Sequence, residues 1–215
     1  MHTVLFDMFD MFGVIARHQS PQSKEHLVAV ADRTSPAFWE AYWQLRRPYD
    51  RGDVTGPQDW DAVARRLGTS FSDERIADLI QADLTGWSAV DASMVDLVEE
   101  LADAGRDIAL LSNIPEEPAA YYEDRHPWLD RFSVLGFSCR IGHAKPEAGA
   151  YQWCGRALGR EPGQILFVDD RAENIAAARS LGMRGHLFTS LARLRTALTL
   201  WEPVPATTAE GPRSW

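Results

Sequence analysis

The sequence predicts an α/β fold, a parallel five-stranded sheet with a bundle of helices inserted between its first and second strands. Three observations support this prediction. Short apolar runs that end in polar or small residues recur along the chain, helical patterns alternate with these runs, and the segment 18–88 contains helical patterns only. Strands that alternate with helices form parallel sheets joined by right-handed crossovers.

The apolar runs are too short for helices, and they do not alternate between apolar and polar residues. This is the pattern of strands that are buried on both faces. In chain order, the predicted strands cover 3–6, 107–113, 133–138, 164–170 and 185–189.

Four further helices are predicted to alternate with the strands, the first of them just before the second strand. The first of them ends at Gly105, placed as a C-cap glycine, and the last follows Ser190, which can act as an N-cap. Two more are predicted at 147–158 and 171–181. The apolar stripes of the first and last helices consist of Met94, Leu97, Val98 and Leu101, and of Leu191, Leu194, Leu198 and Trp201.

The segment 18–88 is predicted to form a helical cap over one end of the sheet. Its helices are expected at 22–31, 36–46, 57–67 and 73–84. The α/β core then consists of 1–17 and 89–201. The remaining residues, 202–215, have the Pro, Thr and Gly content of a disordered tail.

Composition excludes several classes of partner. The net charge of −9 argues against nucleic acid, because a phosphate backbone requires a basic surface. No apolar run approaches the roughly 20 residues of a membrane span, and the chain start lacks the basic and apolar stretches of a signal peptide. Cys139 and Cys154 have no metal-binding spacing. We expect a cytoplasmic monomer or homodimer with reduced cysteines.

Polar side chains follow four of the predicted strands. The carboxyl ends of parallel strands share one edge of the sheet, and ligands bind there. In chain order these residues are Asp7 or Asp10, Ser112 with Asn113, Lys145, and Asp169 with Asp170. Lysine is otherwise scarce, since 20 of the 22 basic residues are Arg and only Lys24 and Lys145 are Lys. The combination predicts a catalytic site at this edge.

These segments resemble the haloacid dehalogenase (HAD) superfamily. The similar motifs are LLSN at 110–113, GHAKPEAGAY at 142–151 and FVDDRAENIAAA at 167–178, and the similarity extends over about 105–190 plus the first strand. A weaker likeness, DRGDVTGPQDW at 50–60, is to the cap of the branch that contains bacterial sugar-1-phosphate phosphatases. The resemblance implies a Rossmann-like core and a hydrolase.

The resemblance also implies a mechanism for a small phosphorylated substrate. A carboxylate attacks phosphorus and forms an aspartyl-phosphate. Mg²⁺ is held by Asp170, by Asp169 directly or through water, by the nucleophile and by a backbone carbonyl. Lys145 neutralises the nucleophile and the transferring group, and Ser112 donates hydrogen bonds to phosphoryl oxygens. Asn113 either assists Ser112 or caps the following turn.

The doubled unit Phe-Asp-Met at 6–11 leaves two candidates for the nucleophile. With Asp7, the first strand is the clean apolar run 3–6. With Asp10, the following Gly13-Val14-Ile15 fits the loop of the family, but Asp7 is forced into a buried strand and must be neutralised or paired. We favour Asp10 because of these three consecutive matches.

A Phe stands two places after either aspartate, Phe9 or Phe12, where most HAD phosphatases carry a second Asp. That Asp protonates the leaving group, and its backbone carbonyl binds Mg²⁺. Phe12 can supply the carbonyl but not the proton, and the sugar-1-phosphate branch can also lack this Asp. We therefore expect slow or selective hydrolysis that favours activated or anomeric phosphates.

Three residues are predicted to contact the substrate. His18 lies just beyond the first strand, and the predicted cap contributes Trp43 from an aromatic cluster and Arg47 from a group of arginines. Two other functions stay open at this point. One is a metal-independent 2-haloacid dehalogenase, which also has an aromatic residue two places after its nucleophile. The other is a HAD-fold protein that binds or ionises a diphosphate of an apolar substrate.

Overall fold

A five-stranded parallel sheet forms the centre of the protein, as the computed structural model of residues 6–33 and 36–200 shows. The strand order is β3-β2-β1-β4-β5, and all four pairings are parallel. The strands are β1 Phe6–Phe9, β2 Ile108–Ser112, β3 Val134–Phe137, β4 Ile165–Asp169 and β5 Arg184–Leu187. The predicted fold class is confirmed.

The first strand differs from its prediction. The sequence placed it at 3–6, of which 3–5 lie outside the described residues, whereas the described strand β1 covers Phe6–Phe9. Asp7 therefore lies inside the strand, in register with Ile108 of β2 and Leu166 of β4. β1 is the central strand of the sheet, between β2 and β4, and all four of its residues are buried.

Four consecutive helices follow β1 in the chain, and a fifth helix, described below, precedes β2. The four are α1 Pro21–Ala31, α2 Pro36–Asp50, α3 Gly56–Arg66 and α4 Asp73–Gly86. Side chains of Ser20, Thr55 and Ser72 accept hydrogen bonds from the first turns of α1, α3 and α4, which explains where these helices begin. The helix α2 runs to Asp50 rather than to the predicted 46, and it includes Pro48.

The helices α1–α4 have an apolar core of their own, which includes Phe38, Tyr42 and Trp60. This core is separate from the two apolar clusters that pack against the sheet. The division into a cap at 18–88 and a core at 1–17 and 89–201 stays a prediction. The predicted tail at 202–215 lies outside the described residues.

The other helices cover both faces of the sheet. They are α5 Ala92–Asp103, α6 Glu116–Arg125, α7 Ser138–Ile141, α8 Ala148–Leu158, α9 Ala172–Ser180 and α10 Leu191–Leu200. Alternate residues of β4 enter two apolar clusters: Leu166 packs with α5 and α10, and Phe167 packs with α8 and α9. The sequence did not predict α6 or α7, and Trp201 of the predicted last stripe lies outside the described residues.

No helix in the described part of the chain combines the length and apolarity that a bilayer crossing requires.

Candidate active site

Asp10, Lys145 and Asp169 form a buried ion cluster at the carboxyl edge of the sheet. The strands β1 and β4 are neighbours, and the backbone N–H of Asp10 donates to Val168 O at 2.8 Å, so Asp10 and Asp169 leave the sheet side by side. Lys145 Nζ lies 2.6 Å from Asp10 Oδ1 and 2.9 Å from Asp169 Oδ2. The Lys145 side chain is 1% exposed. A single ammonium therefore bridges two buried carboxylates.

Burial and the neighbouring charges shift the pKa values of Asp10 and Lys145. Burial raises the pKa of Asp10; Lys145 opposes the rise and the neighbouring Asp169 adds to it. Burial alone would lower the pKa of Lys145, but the charges of Asp10 and Asp169 outweigh it, and the pKa is raised above its usual value. Lys145 is thus held in its charged form. A further cation near Asp10 would favour the ionised carboxylate that nucleophilic attack requires.

Asn174 holds Asp169 in place. Its Nδ2 donates to both carboxylate oxygens, at 3.1 Å to Oδ1 and 2.9 Å to Oδ2, and the N–H of Arg171 donates to Oδ1 at 2.8 Å. Sequence reasoning did not single out Asn174. A signal was present, because Asn174 lies in the first turn of α9, five residues after Asp169 in the run already singled out.

Asp170 lies opposite the loop that follows Asp10. Its Oδ2 is 2.9 Å from His18 Nε2. Gly13 allows this arrangement, since it adopts a φ of +87° and a Cβ placed on it would lie 2.2 Å from Asp170 Oδ2. The match of Gly13 to the loop of the family therefore has a physical cause, the close approach of the backbone to Asp170.

Asp7 is not part of this cluster. It is fully buried within β1, and Arg106 Nε lies 2.7 Å from its Oδ2. Burial raises the pKa of Asp7 to about 6, and the charge of Arg106 opposes the rise. The structure thus gives Asp7 the pairing that a buried strand position demands, and it places Asp10 rather than Asp7 in the ion cluster.

The two polar residues after β2 have different positions. Asn113 joins the Lys145 loop, accepting from Lys145 N at 2.7 Å and donating to Lys145 O at 2.8 Å. Ser112 is fully buried, its Oγ has no hydrogen-bond partner in the described residues, and it does not line the cavity described below. Asn113 therefore positions Lys145, while the contact predicted for Ser112 requires a rearrangement.

The acidic groups fit a hard divalent cation. Asp10, Asp169 and Asp170 each offer a carboxylate oxygen, and these atoms lie within 4.8 Å of one another. Asp170 Oδ1 is buried and has no hydrogen-bond partner in the described residues, which leaves it available as a ligand. No N–H group in the described chain donates to the carbonyl of Phe12. Carboxylate and carbonyl oxygens are the ligands that Mg²⁺ prefers.

A cavity of about 330 Å³ opens from this cluster toward the helices between β1 and β2. Its size suits a single small molecule. Its lining residues are Asp10, Phe12, His18, Gln19, Lys24, Trp43, Arg46, Asp50, Trp87, Asn113, Lys145, Asp170, Arg171 and Asn174.

Two of the three predicted substrate contacts line this cavity, and one does not. His18 and Trp43 are among the lining residues. Arg47 is not; its Nη2 lies 2.7 Å from Glu147 Oε1, so it joins α2 to the start of α8. The prediction for Arg47 is therefore corrected, and the preceding residue, Arg46, lines the cavity instead.

An aromatic wall, defined here as Phe12, Trp87 and Trp43, forms one side of the cavity. The ring centroids of Phe12 and Trp87 are 5.0 Å apart, and those of Trp87 and Trp43 are 6.3 Å apart. Trp43 is 51% exposed. Sequence reasoning did not single out Trp87, because it lies far from Phe12 in the chain and its position depends on the packing of α4.

Comparison with known proteins identifies the family of the chain. A family model described as a haloacid dehalogenase-like hydrolase matches residues 8–182. A sesquiterpene phosphatase from Aspergillus oryzae is 30% identical over 145 residues, which cover 67% of this chain and 72% of the relative. A drimenol cyclase from Aspergillus calidoustus is 22% identical over 151 residues, which cover 70% of this chain but only 29% of the relative.

Among solved structures, similarity extends over most of the chain. A HAD family enzyme from Bacteroides thetaiotaomicron, in complex with magnesium and inorganic phosphate, superposes with a TM-score of 0.72 at 18% identity. The superposition covers 89% of this chain and 98% of that one. At this identity the similarity establishes the fold.

Proposed function

The chain belongs to the haloacid dehalogenase-like hydrolases, and on that premise we propose that it is a Mg²⁺-dependent phosphatase of a small organic phosphate. Asp10 is the nucleophile of the proposed reaction. The observation that carries the proposal is the position of Lys145, whose ammonium joins Asp10 to Asp169 at an edge of the sheet that opens into a cavity.

In the proposed first step, an Asp10 carboxylate oxygen attacks phosphorus and the bond from phosphorus to the leaving oxygen breaks. Lys145 reduces the repulsion between the carboxylate and the anionic phosphoryl group. In the second step, water attacks the phosphorus of the aspartyl-phosphate and releases inorganic phosphate. Asn113 and Asn174 act as positioning residues in both steps, because they hold the Lys145 loop and Asp169.

Asp10, Asp170 and the carbonyl of Phe12 would hold Mg²⁺, with Asp169 contributing directly or through water. When bound, Mg²⁺ supplies positive charge to the phosphoryl oxygens. Asp170 Oδ1 is buried and accepts no hydrogen bond from any described residue, which supports this assignment.

The proposed substrate has an apolar alcohol portion. The aromatic wall of Phe12, Trp87 and Trp43 offers a surface for such a group, and the exposed ring of Trp43 would be covered by it. The relative from Aspergillus oryzae is named a sesquiterpene phosphatase, a name that points to a phosphate of an apolar compound for that protein.

A phosphatase screen over a panel of organic phosphates tests this proposal. We expect phosphate release that falls by about 10²-fold or more when divalent cations are removed with EDTA, and that returns when Mg²⁺ is added. Asp170→Asn should raise the Mg²⁺ concentration needed for half-maximal activity. Asp61→Asn is the control, because Asp61 is an exposed carboxylate of α3 that forms no ion pair within the part of the chain that the structure describes.

Release of chloride from 2-haloacids, measured in parallel, addresses the dehalogenase alternative. Chloride release that is independent of Mg²⁺, without phosphate release from the panel, would contradict the proposed function. The adjacent acids Asp169 and Asp170 and the available Asp170 Oδ1 favour the metal-dependent reaction.

Phe12 explains the expected leaving-group preference. Its ring packs against Trp87 and Tyr122, with centroid distances of 5.0 and 6.0 Å, and it has no proton to give to a leaving alkoxide. Phe12→Asp should therefore raise kcat/KM for alkyl monophosphates such as glycerol phosphate, by about 10-fold or more, while 4-nitrophenyl phosphate gains less.

Phe12→Asn is the matched control, since it has the shape of Asp without the carboxyl proton. Equal gains in both variants, or fast wild-type hydrolysis of alkyl phosphates, would show that the Phe does not limit the reaction. The corresponding Phe9→Asp variant is not informative, because Phe9 is fully buried in β1.

A further inference from the structure

Both lysines of the chain line the same cavity. Lys145 comes from the carboxyl edge of the sheet, and Lys24 comes from α1, in the helical segment between β1 and β2. In a chain with 20 Arg and two Lys, both lysines thus line one small-molecule cavity, Lys145 as a buried residue and Lys24 as an exposed one.

The other cations of the cavity wall form ion pairs with carboxylates, whereas Lys24 forms none with a described residue. Lys145 is paired with Asp10 and Asp169, Arg46 with Asp50 and Asp83, Arg171 with Glu173, and His18 with Asp170. Within the described residues, no carboxylate oxygen lies within 4.0 Å of the Lys24 ammonium. Among the described residues that line the cavity, Lys24 is therefore the one cation without an ion pair.

No interaction within α1 stabilises a positive charge at position 24. The helix begins at Pro21 with Ser20 as its N-cap, so Lys24 lies at the end of the first turn. A cation there is disfavoured by the helix dipole, and the first turn contains no acidic residue that would compensate. Residues one turn away on either side, Ser20 and Val28, carry no charge.

We propose that Lys24 binds a second phosphate of the substrate, so that the preferred substrate is the diphosphate of an apolar alcohol and the leaving group is its monophosphate. This inference rests on the proposed phosphatase function and specifies its substrate class. Lys145 faces the terminal phosphoryl group, Lys24 binds the phosphate next to the alcohol, and the aromatic wall contacts the apolar chain.

A diphosphate substrate explains why Phe can stand at position 12, where most HAD phosphatases carry an acid. An Asp10 oxygen attacks the terminal phosphorus, and the bond from that phosphorus to the bridging oxygen breaks. The electron pair stays on the bridging oxygen, which becomes an oxygen of the released monophosphate. Water then frees inorganic phosphate from Asp10. A phosphate oxygen is a much weaker base than an alkoxide, so this leaving group departs without the proton that Phe12 cannot give.

The test compares geranyl diphosphate with geranyl monophosphate as substrates, using ³¹P NMR to identify the products. For the wild type we expect a higher kcat/KM for the diphosphate, with geranyl monophosphate and inorganic phosphate as first products. Lys24→Met should lower the ratio of kcat/KM for the diphosphate to kcat/KM for the monophosphate by about 10-fold, mainly by raising KM for the diphosphate. Lys24→Arg should keep this ratio close to that of the wild type.

Arg65→Met is the matched control, because Arg65 is an exposed cation of α3 that does not line the cavity and forms no ion pair with another described residue. It should leave the ratio as in the wild type. An unchanged ratio in Lys24→Met, with both substrates still hydrolysed, would overturn the proposed role of Lys24 and leave the proposed phosphatase function intact. Release of pyrophosphate, or no phosphate release from either substrate, would contradict the proposed phosphatase function itself.

Discussion

Asp10→Asn is expected to abolish turnover, with a loss on the order of 10⁴-fold or more, because an amide neither attacks phosphorus nor forms an acyl phosphate. The fold should be retained, since the substitution preserves size and removes one of two carboxylates that share Lys145. The measurement is kcat/KM for the best substrate of the panel at saturating Mg²⁺, together with thermal unfolding of each variant.

The sequence provides a matched control for this variant, because Asp7 stands in the same Phe-Asp-Met context. Asp7→Asn should keep activity within a few-fold, since Asp7 is paired with Arg106 inside the sheet and lies outside the ion cluster. Loss of turnover in a folded Asp7→Asn variant, with activity retained in Asp10→Asn, would reverse the assignment of the nucleophile.

Lys145→Arg is expected to fail nearly as badly as Lys145→Met, with losses of about 10³-fold in kcat/KM. The ammonium is a compact point charge within 3 Å of two carboxylates, in a site where its side chain is 1% exposed. The planar, larger guanidinium of Arg does not fit this geometry. Removing the charge in Lys145→Met leaves Asp10 and Asp169 to repel each other, which raises the pKa of Asp10 further.

Single-turnover measurements separate the possible outcomes for Lys145. If Lys145 acts on the transferring group, both variants should slow the chemical step while substrate still binds. Turnover at the wild-type rate in either variant would show that the ion cluster is structural rather than catalytic.

Much of the fold could be predicted because its signals are local. Buried parallel strands are continuous apolar runs, and the caps of α1, α3 and α4 are Ser or Thr at the start of each helix. The apolar run alone placed β1 at 3–6, because an Asp inside a central strand contradicts local expectation, whereas the choice of Asp10 as nucleophile required Asp7 to lie in the strand, as it does. The cost of burying Asp7 is offset by Arg106, a residue 99 positions away in the chain that only the folded structure brings near.

The core of the candidate site was also predictable, since Asp10, Lys145, Asp169 and Asp170 all follow strands of one parallel sheet. The cavity wall formed by the helices between β1 and β2 could not be predicted from the sequence. Arg46 and Arg47 are adjacent in the sequence, and only the rotation of α2 decides that Arg46 lines the cavity while Arg47 contacts Glu147. Lys24 was visible as a rare residue, but its convergence with Lys145 depends on the path of α1.

The central claim is that Asp10 carries the phosphoryl group, and chemical trapping tests it most directly. Borohydride added during turnover reduces an aspartyl-phosphate to homoserine, and trypsin releases the segment 1–17, which contains both Asp7 and Asp10. Fragmentation of this peptide in a mass spectrometer separates the two positions. We predict homoserine at position 10, dependent on substrate and Mg²⁺, with Asp7 unmodified. Homoserine at position 7, or steady phosphate release without any reduced residue in 1–17, would contradict the account.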